Sequence, residues 1–154
     1  MADSSLVPLL VVLTPILLTV SFVAVMIKRY LDEYVPRKVV VRHENGKVAL
    51  VIETKRGSTR IRVRDFSVRD CREVLEVRTN GLGFGRYRLG RYTGRYGEVI
   101  SYAISDSGML IEDTNGKRYY LAFDNIDEVV DAIMDDSIRE KAIKVRDKAK
   151  ENRD

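Results

Sequence analysis

The stretch VVVRHENGKVALVIET, residues 39–54, decides how the polar part of this chain folds. Two runs rich in valine, residues 39–43 and 47–54, are separated by a turn centred on Asn45-Gly46. Asn-Gly between β-branched runs is a strong hairpin signal, because both residues tolerate a positive φ angle. The stretch therefore predicts two antiparallel strands joined by a tight turn.

Strand-like alternation continues beyond this hairpin. In residues 59–66, Ile61 and Val63 fall on one face and arginines on the other, as expected for a half-buried strand. A second Asn-Gly turn occurs at Asn115-Gly116. Further strands are predicted at residues 73–78, 98–105, 109–114 and 117–123.

An amphipathic helix is predicted after the last strand, with Asp124 or Asn125 as N-cap. Its apolar residues recur at helical spacing and define one buried stripe: Ile126, Val129, Val130, Ile133 and Met134. Beyond residue 136 apolar residues become sparse, and we expect residues 137–154 to form a charged, exposed helical tail. Seven or eight short strands and one helix favour a small antiparallel barrel or sandwich whose open end the helix covers.

An uncharged segment of 22 residues, 6–27, precedes the polar part. As a helix it would be about 33 Å long, enough for a hydrocarbon core of about 30 Å. A cleaved signal peptide would require a basic N-terminal region and a small-residue cleavage site. The first five residues, MADSS, are acidic and no clean cleavage site follows, while the remaining chain is too polar to enclose a core helix. The segment therefore predicts a retained membrane anchor.

Positive charge follows the apolar segment and does not precede it. Lys28, Arg29, Arg37 and Lys38 come just after it, which predicts an external N-terminus and a cytoplasmic C-terminal domain in the cell membrane. The predicted organisation is an N-terminal tail (1–5), a transmembrane helix (6–27), a juxtamembrane linker (28–37), a folded domain (38–136) and the charged tail (137–154).

The composition argues against catalysis. A single cysteine, Cys71, excludes an internal disulfide or a multi-cysteine zinc site, and a single histidine, His43, leaves no partner set for metal binding or nucleophilic catalysis. No phosphate-binding loop is present either. We expect no enzymatic activity, no catalytic or metal-binding residues and no cofactor.

The glycine-rich stretch at residues 80–97 contains three Gly-Arg-Tyr repeats and is the candidate interaction surface. Arginine binds phosphate or carboxylate in a bidentate manner, and tyrosine offers a stacking face. A protein partner, anionic lipid headgroups and nucleic acid are three possible ligands; the alternative is a solvated hairpin whose tyrosines pack against the domain. The candidate residues are Arg86, Tyr87, Arg88, Arg91, Tyr92, Arg95 and Tyr96.

A second basic row consists of Arg60, Arg62 and Arg64, which period-two spacing places on one strand face. We interpret this row as a solvated face, with a membrane-facing patch as the alternative.

Residues 79–133, TNGLGFGRYRLGRYTGRYGEVISYAISDSGMLIEDTNGKRYYLAFDNIDEVVDAI, resemble the bacterial pleckstrin-homology-like domain family, which occurs behind transmembrane segments in bacteria and archaea. Tyr120, Leu121, Asp124 and residues 129–133 match its pattern, and the similarity extends over residues 37–136. The resemblance implies a seven-stranded PH-like barrel with a C-terminal helix and carries no catalytic residues.

The expected function is that of a membrane-tethered interaction or scaffolding module. It would contact membrane lipid through its anchor and recruit a protein partner, including copies of itself. The alternative is binding of an anionic ligand through residues 85–96. Nucleic acid is the less favoured ligand, because the net charge of +4 is modest and the C-terminal third of the chain is acidic.

Overall fold

A computed structural model describes Ser4 and residues 6–153. The predicted N-terminal tail, residues 1–5, otherwise lies outside the described residues. Helix α1, Leu6–Tyr34, has no buried residues and is the one described helix that is long and apolar enough to cross a membrane. It continues seven residues beyond the apolar segment, so most of the predicted linker at 28–37 is helical. Pro36 lies between the end of α1 and the start of β1 at Lys38.

Nine strands and three short helices follow α1. The strands are β1 Lys38–Glu44, β2 Lys47–Glu53, β3 Ser58–Asp70, β4 Val77–Phe84, β5 Tyr87–Gly94, β6 Gly97–Ala103, β7 Ser107–Asp113, β8 Arg118–Ala122 and β9 Glu140–Lys144. The helices are α2 Cys71–Val74, α3 Ile126–Met134 and α4 Lys148–Glu151. The mainly-β class expected from the sequence is confirmed.

All nine strands belong to one open sheet in the order β4-β5-β6-β8-β7-β3-β2-β1-β9. Neighbouring strands are antiparallel except β6 and β8, which run parallel. No pairing joins the outer strands β4 and β9 among the described residues, so hydrogen bonds do not close the sheet. The expectation of about seven antiparallel strands in a barrel thus differs from the structure in strand number, in one parallel pair and in the open edges.

The hairpin predicted around Asn45-Gly46 is confirmed. Strands β1 and β2 pair from Glu44↔Lys47 to Lys38↔Glu53. Asn45 has φ 53° and Gly46 has φ 76°, the pair of positive angles that a two-residue turn of this kind requires.

Both faces of the central strands are covered. One face contributes to a large core under α3, with Leu50, Ile61, Met109 and Leu121 among its buried residues. Because successive side chains alternate between faces, the neighbouring Tyr120 belongs to a second, smaller core on the other side. The second core also contains Cys71 and Val74 of α2, Tyr92 of β5 and Leu110 of β7.

The chain between β3 and β4 differs from the prediction of a strand at residues 73–78. Asp70 caps α2 by accepting the amide of Arg72 at 2.9 Å, and β4 begins only at Val77. The apolar residues Val74, Leu75 and Val77 had favoured a strand. Val74 and Leu75 are instead buried beneath the turn that leads from β3 into β4.

The C-terminal residues differ more strongly from the predicted helical tail. Helix α3 buries Ile126, Val129 and Ile133 as expected, but Met134 is 70% exposed. After α3 the chain returns as strand β9, which pairs with β1. Only Lys148–Glu151 within the predicted tail is helical. Strand β9 could not be predicted from an apolar pattern, because four of its five residues are exposed and only Ile143 reaches the core.

Strands β4 and β5 approach each other closely at Gly81 and Gly90. A Cβ atom on Gly90 would lie 2.5 Å from the carbonyl oxygen of Asn80, and Gly90 has φ +105°. Both the contact and the backbone angle exclude a side chain without movement of β4.

We predict that Gly90→Ala lowers the free energy of unfolding by about 1–3 kcal/mol, the usual cost of a strained backbone position. Gly57→Ala is the matched control, because a Cβ there meets nothing within 4 Å. Urea unfolding of the full chain in detergent, followed by tyrosine fluorescence, measures both variants. If Gly90→Ala and Gly57→Ala lowered the free energy of unfolding equally, the close approach of β4 and β5 at Gly90 would not be the cause.

Candidate functional site

The Gly-Arg-Tyr repeats form the β4–β5–β6 part of the sheet. The first repeat, residues 85–87, contains the β4–β5 turn, the second, residues 90–92, lies within β5, and the third, residues 94–96, leads into the β5–β6 turn. Since β5 has eight residues and each adds about 3.3 Å, the first and third repeats lie about 25 Å apart at opposite ends of the strand. The structure therefore does not gather the seven candidate residues into one surface.

Arg86 is held by a partly buried ion pair. Its Nη2 atom lies 2.5 Å from Oδ1 of Asp124 and also donates to Ser105 Oγ at 3.2 Å. The other oxygen of Asp124 accepts the backbone amide of Lys148 at 2.7 Å. This arginine thus ties the β4–β5 turn to the start of α4.

Tyr87 makes a parallel connection to the C-terminal residues. Its hydroxyl donates to Oδ2 of Asp147 at 2.6 Å, while Oδ1 of Asp147 accepts the amide of Ala149 and caps α4. Burial and the hydrogen bond to Asp147 raise the pKa of Tyr87 to about 12, so the phenol remains a donor at neutral pH. We call Arg86, Tyr87, Asp124 and Asp147 the C-terminal clasp.

Of the two residues predicted as N-cap, Asn125 occupies that position, whereas Asp124 serves the clasp. The N-cap of α3 is Asn125, whose side chain makes no cap hydrogen bond and instead bonds Arg146 N and Lys144 O across to the end of β9. Partial burial opposes ionisation of Asp124, but the amide of Lys148 and the guanidinium of Arg86 outweigh it and hold the pKa of Asp124 below its usual range.

Arg88 and Tyr92 point into the smaller core. Arg88 Nη1 donates to the sulfur of Cys71 at 2.8 Å and lies 3.5 Å from Asp106. Burial raises the pKa of the Cys71 thiol, and Arg88 does not reverse the shift, so the thiol is protonated at neutral pH. Tyr92 is buried and donates to the carbonyl oxygen of Leu82 at 3.2 Å. These contacts give both residues a structural role.

Arg91, Arg95 and Tyr96 complete the candidate set. Arg95 is exposed in the β5–β6 turn, and Tyr96 lies beneath the guanidinium of Arg69, 5.8 Å from the ring centre. Arg91 faces the end of α1 and, among residues 6–153, forms one ion pair, a long contact of 3.9 Å with Glu98. Arg91 is therefore the one candidate residue that lines the groove between the end of α1 and the sheet.

This groove, which we call the juxtamembrane groove because it adjoins the end of the apolar helix α1, has a volume of about 360 Å³ and was not predicted from the sequence. Its walls come from the last turns of α1, the β2–β3 turn and the faces of β5 and β6. Arg29, Arg56 and Arg91 line it together with Tyr34 and Tyr102. The available signal was Arg29, which we used only to orient the anchor.

The end of α1 is docked against the sheet. The Tyr34 and Tyr102 rings lie 5.7 Å apart, and the Tyr30 hydroxyl donates to Asn80 at 2.5 Å. Asp32 forms an ion pair of 3.7 Å with Lys55, and its carbonyl oxygen accepts the amide of Arg56. The helix therefore meets the domain through both packing and polar contacts.

The second basic row lies on β3. Arg60 forms a 2.8 Å ion pair with Glu44, and Arg64 lies 3.7 Å from Glu112. Arg60 and Arg62 line a further surface groove of about 390 Å³ near the β1–β2 turn. The ion pairs fit the interpretation of a solvated, charge-balanced face.

Metal-binding clusters of three or more His, Cys, Asp or Glu are absent from the part of the chain that the structure describes. His43 is half-buried, and its Nε2 donates to the carbonyl oxygen of Ala132 in α3 at 2.8 Å. His43 thus connects β1 with α3.

Comparison of the chain with protein-family models, with curated proteins and with solved structures finds no significant match. The resemblance to the PH-like family therefore stays a prediction from the residues quoted above, and the contacts of this chain must carry the functional argument.

We predict that Asp124→Asn lowers the free energy of unfolding at neutral pH by about 1–3 kcal/mol, because charged hydrogen bonds from Arg86 and Lys148 are lost. The pKa of Asp124 is lowered in the folded state, so its stabilisation is present above the ordinary value of 3.8 and is lost as pH falls through the folded-state value. The difference between wild type and Asp124→Asn should therefore narrow as the pH falls below about 4.

Denaturant unfolding of the full chain at several pH values tests this expectation. Asp136→Asn is the control, because Asp136 is exposed and its side chain makes no hydrogen bond or ion pair with the residues that the structure describes. A stability difference between wild type and Asp124→Asn that stays constant from neutral to acid pH would show that the ion pair is not its source.

Proposed function

We propose that this chain is a membrane-anchored interaction module that holds its sheet domain at the cytoplasmic face of the membrane and there recruits a protein partner, including copies of itself. The observation that carries the proposal is the docking of α1. The helix runs without a break from its apolar segment into the domain, where Leu31, Tyr34 and Val35 pack against the larger core.

Docking supports a retained anchor over a cleaved signal sequence. Cleavage near the end of the apolar segment would leave Tyr30 and Tyr34 on a short stub, although both are part of the packing at the base of the sheet. Because the last turns of α1 are part of the fold, loss of the helix would remove packing contacts from the domain. Confinement to a surface raises the effective concentration of the domain and makes weak contacts useful.

The β4–β5 turn is the surface that we propose for the partner. Phe84 at the end of β4 is 76% exposed, which is unusual for an aromatic side chain. Aromatic residues are favoured anchors in protein interfaces. The C-terminal clasp holds the neighbouring Arg86 and Tyr87 in place, so the turn would lose little conformational freedom on binding.

The position of this turn also suits a partner in the cytoplasm. Tyr30, nearer the apolar segment, contacts Asn80, while Tyr34, one helical turn further on, contacts Tyr102. Leu82 of β4 pairs with Leu89 of β5, which in turn pairs with Tyr102 of β6, so Leu82 lies at the level of Tyr102 in the sheet. The direction from Asn80 to Leu82 along β4 is therefore the same as the direction from Tyr30 to Tyr34 along α1. We infer that β4 leads away from the membrane toward Phe84.

The resemblance to the PH-like family supports the same reading. In both cases a mainly-β domain follows a transmembrane segment and an amphipathic helix covers its core; here that helix is α3. We retain a PH-like domain without enzymatic activity as part of the proposal. Binding of nucleic acid has less support, because the candidate arginines are dispersed and two of them, Arg86 and Arg88, are paired internally.

We predict that the domain is cytoplasmic, which cysteine labelling of Lys117→Cys can test. Lys117 is exposed beside the β7–β8 turn, whereas Cys71 is buried, so the wild-type chain is an unlabelled control. A membrane-impermeant maleimide should label Lys117→Cys only after the cells are permeabilised. Labelling in intact cells would reverse the proposed orientation.

We predict that a photoreactive phenylalanine analogue at position 84 yields a discrete crosslinked adduct in native membranes. The same analogue at position 134 is the matched control, since Met134 is 70% exposed but lies in α3. The adduct mass separates a second copy of the chain from a different partner. Absence of a discrete adduct at position 84, or equal adducts at both positions, would contradict the proposed surface.

A further inference from the structure

We propose that the juxtamembrane groove binds the headgroup of a phosphate-bearing anionic lipid. The groove lies between the last turns of α1 and the β2–β3 turn, with β5 and β6 behind them. This inference rests on the proposed membrane anchor but is independent of the proposed protein partner.

The charges that line the groove favour an anion. Three arginines, Arg29, Arg56 and Arg91, face a single acidic residue, Glu33, among the lining residues. Arg56 lies 4.0 Å from Glu33, and Arg91 lies 3.9 Å from Glu98. Such long, exposed ion pairs hold their arginines weakly. Two positive charges are therefore in excess within the groove.

Arg29 has no acidic partner within 4.0 Å among residues 6–153, so its guanidinium donors are available to a ligand. Guanidinium groups bind phosphate oxygens through two parallel hydrogen bonds. The chemistry of the groove thus matches a phosphate group, which could belong to a lipid or to a soluble molecule.

The position of the groove favours the lipid. Residue 27 ends the uncharged segment, and a helical rise of about 1.5 Å per residue places Arg29 about 3 Å beyond it and Glu33 about 9 Å beyond it. The polar headgroup region of a bilayer extends about 5–8 Å outside the hydrocarbon core. The mouth of the groove therefore lies at the depth of the lipid phosphates.

The remaining lining residues suit an amphipathic molecule. Tyr34, Ile100 and Tyr102 add apolar surface to the lining beside the arginines, and the Tyr102 hydroxyl is 3.1 Å from the Thr59 hydroxyl. Tyrosine is favoured at membrane interfaces, where one side of the ring is apolar and the hydroxyl is solvated. A headgroup with its glycerol region fits this lining.

The groove beside β3 does not present the same combination. Its Arg60 is already held at 2.8 Å by Glu44, and no residue of α1 lines it. We therefore assign the lipid to the juxtamembrane groove alone.

The test uses the full chain in detergent, titrated with phosphatidylglycerol or with phosphatidylcholine and observed by native mass spectrometry. The wild-type protein should retain phosphatidylglycerol in preference to phosphatidylcholine. In the double variant Arg29→Gln, Arg56→Gln we expect the affinity for phosphatidylglycerol to fall about tenfold or more, as expected for loss of two interfacial bases.

The control variant Arg64→Gln, Arg72→Gln removes the same charge from exposed positions outside the groove. It should retain the wild-type preference, and circular dichroism should show that both double variants are folded. Equal losses in the two double variants, or no preference in the wild-type protein, would overturn the proposal.

Two further arms separate the alternatives. Displacement of phosphatidylglycerol by inorganic phosphate at matched ionic strength would assign the site to a soluble phosphate and overturn the lipid assignment. Incorporation of the full chain into phosphatidylcholine nanodiscs tests the anchor itself. A chain that incorporates but shows no lipid preference contradicts only the groove, whereas a chain that fails to incorporate contradicts the anchor as well.

Discussion

Burial of the central strands on both faces is the constraint on which this fold depends. Strands β7 and β8 present alternate side chains to two separate cores, so each face of the sheet requires its own cover. Tyr120 shows the consequence most clearly: it is fully buried, and its hydroxyl donates to the carbonyl oxygen of Arg69 at 2.7 Å. Burial raises the pKa of Tyr120 far above its ordinary value, so the phenol stays a donor at neutral pH. One side chain thus fixes β3 at the point where α2 begins.

The need to cover both cores explains where the short helices lie. Helix α3 closes the larger core, and His43 connects it to β1 through the carbonyl oxygen of Ala132. Helix α2, only four residues long, contributes Cys71 and Val74 to the smaller core. The glycine-rich strands then pack beside α2, where Tyr92 completes that core. Much of the Gly-Arg-Tyr segment therefore has a packing role, and Arg91 and Arg95 are the least constrained of its arginines.

Sequence reasoning succeeded where local patterns decide the structure. Asn45-Gly46 determined a hairpin because its backbone angles suit almost no other residue pair, and Ile126, Val129 and Ile133 identified the buried face of α3. It failed where residues that are distant in sequence decide the structure. Strand β9 has one buried apolar residue and forms because β1 offers an unpaired edge, so its own sequence carries little signal. The parallel pairing of β6 with β8 likewise depends on the path of the chain between them.

The candidate site was hidden for the same reason. Arg29, Arg56 and Arg91 are far apart in sequence and converge only because α1 continues past the apolar segment and docks on the sheet. The apolar pattern ends at residue 27, whereas the helix ends at Tyr34, stabilised by contacts with Asn80 and Tyr102 that no local pattern records. Interpreting residues 28–37 as a linker separated the basic residues from the domain to which they belong.

The edges of the sheet add a constraint on how a partner can bind. An open sheet offers unpaired backbone at both edges, and confinement to a membrane would favour association of such edges between copies. Both outer strands have features that disfavour such edge-to-edge association. Strand β9 carries Glu140, Lys141 and Lys144, and β4 has an irregular register between Arg78 and Asn80. Because these features disfavour edge pairing, recognition of the partner that we propose would depend on side chains, and Phe84 at the end of β4 is an exposed aromatic group suited to it.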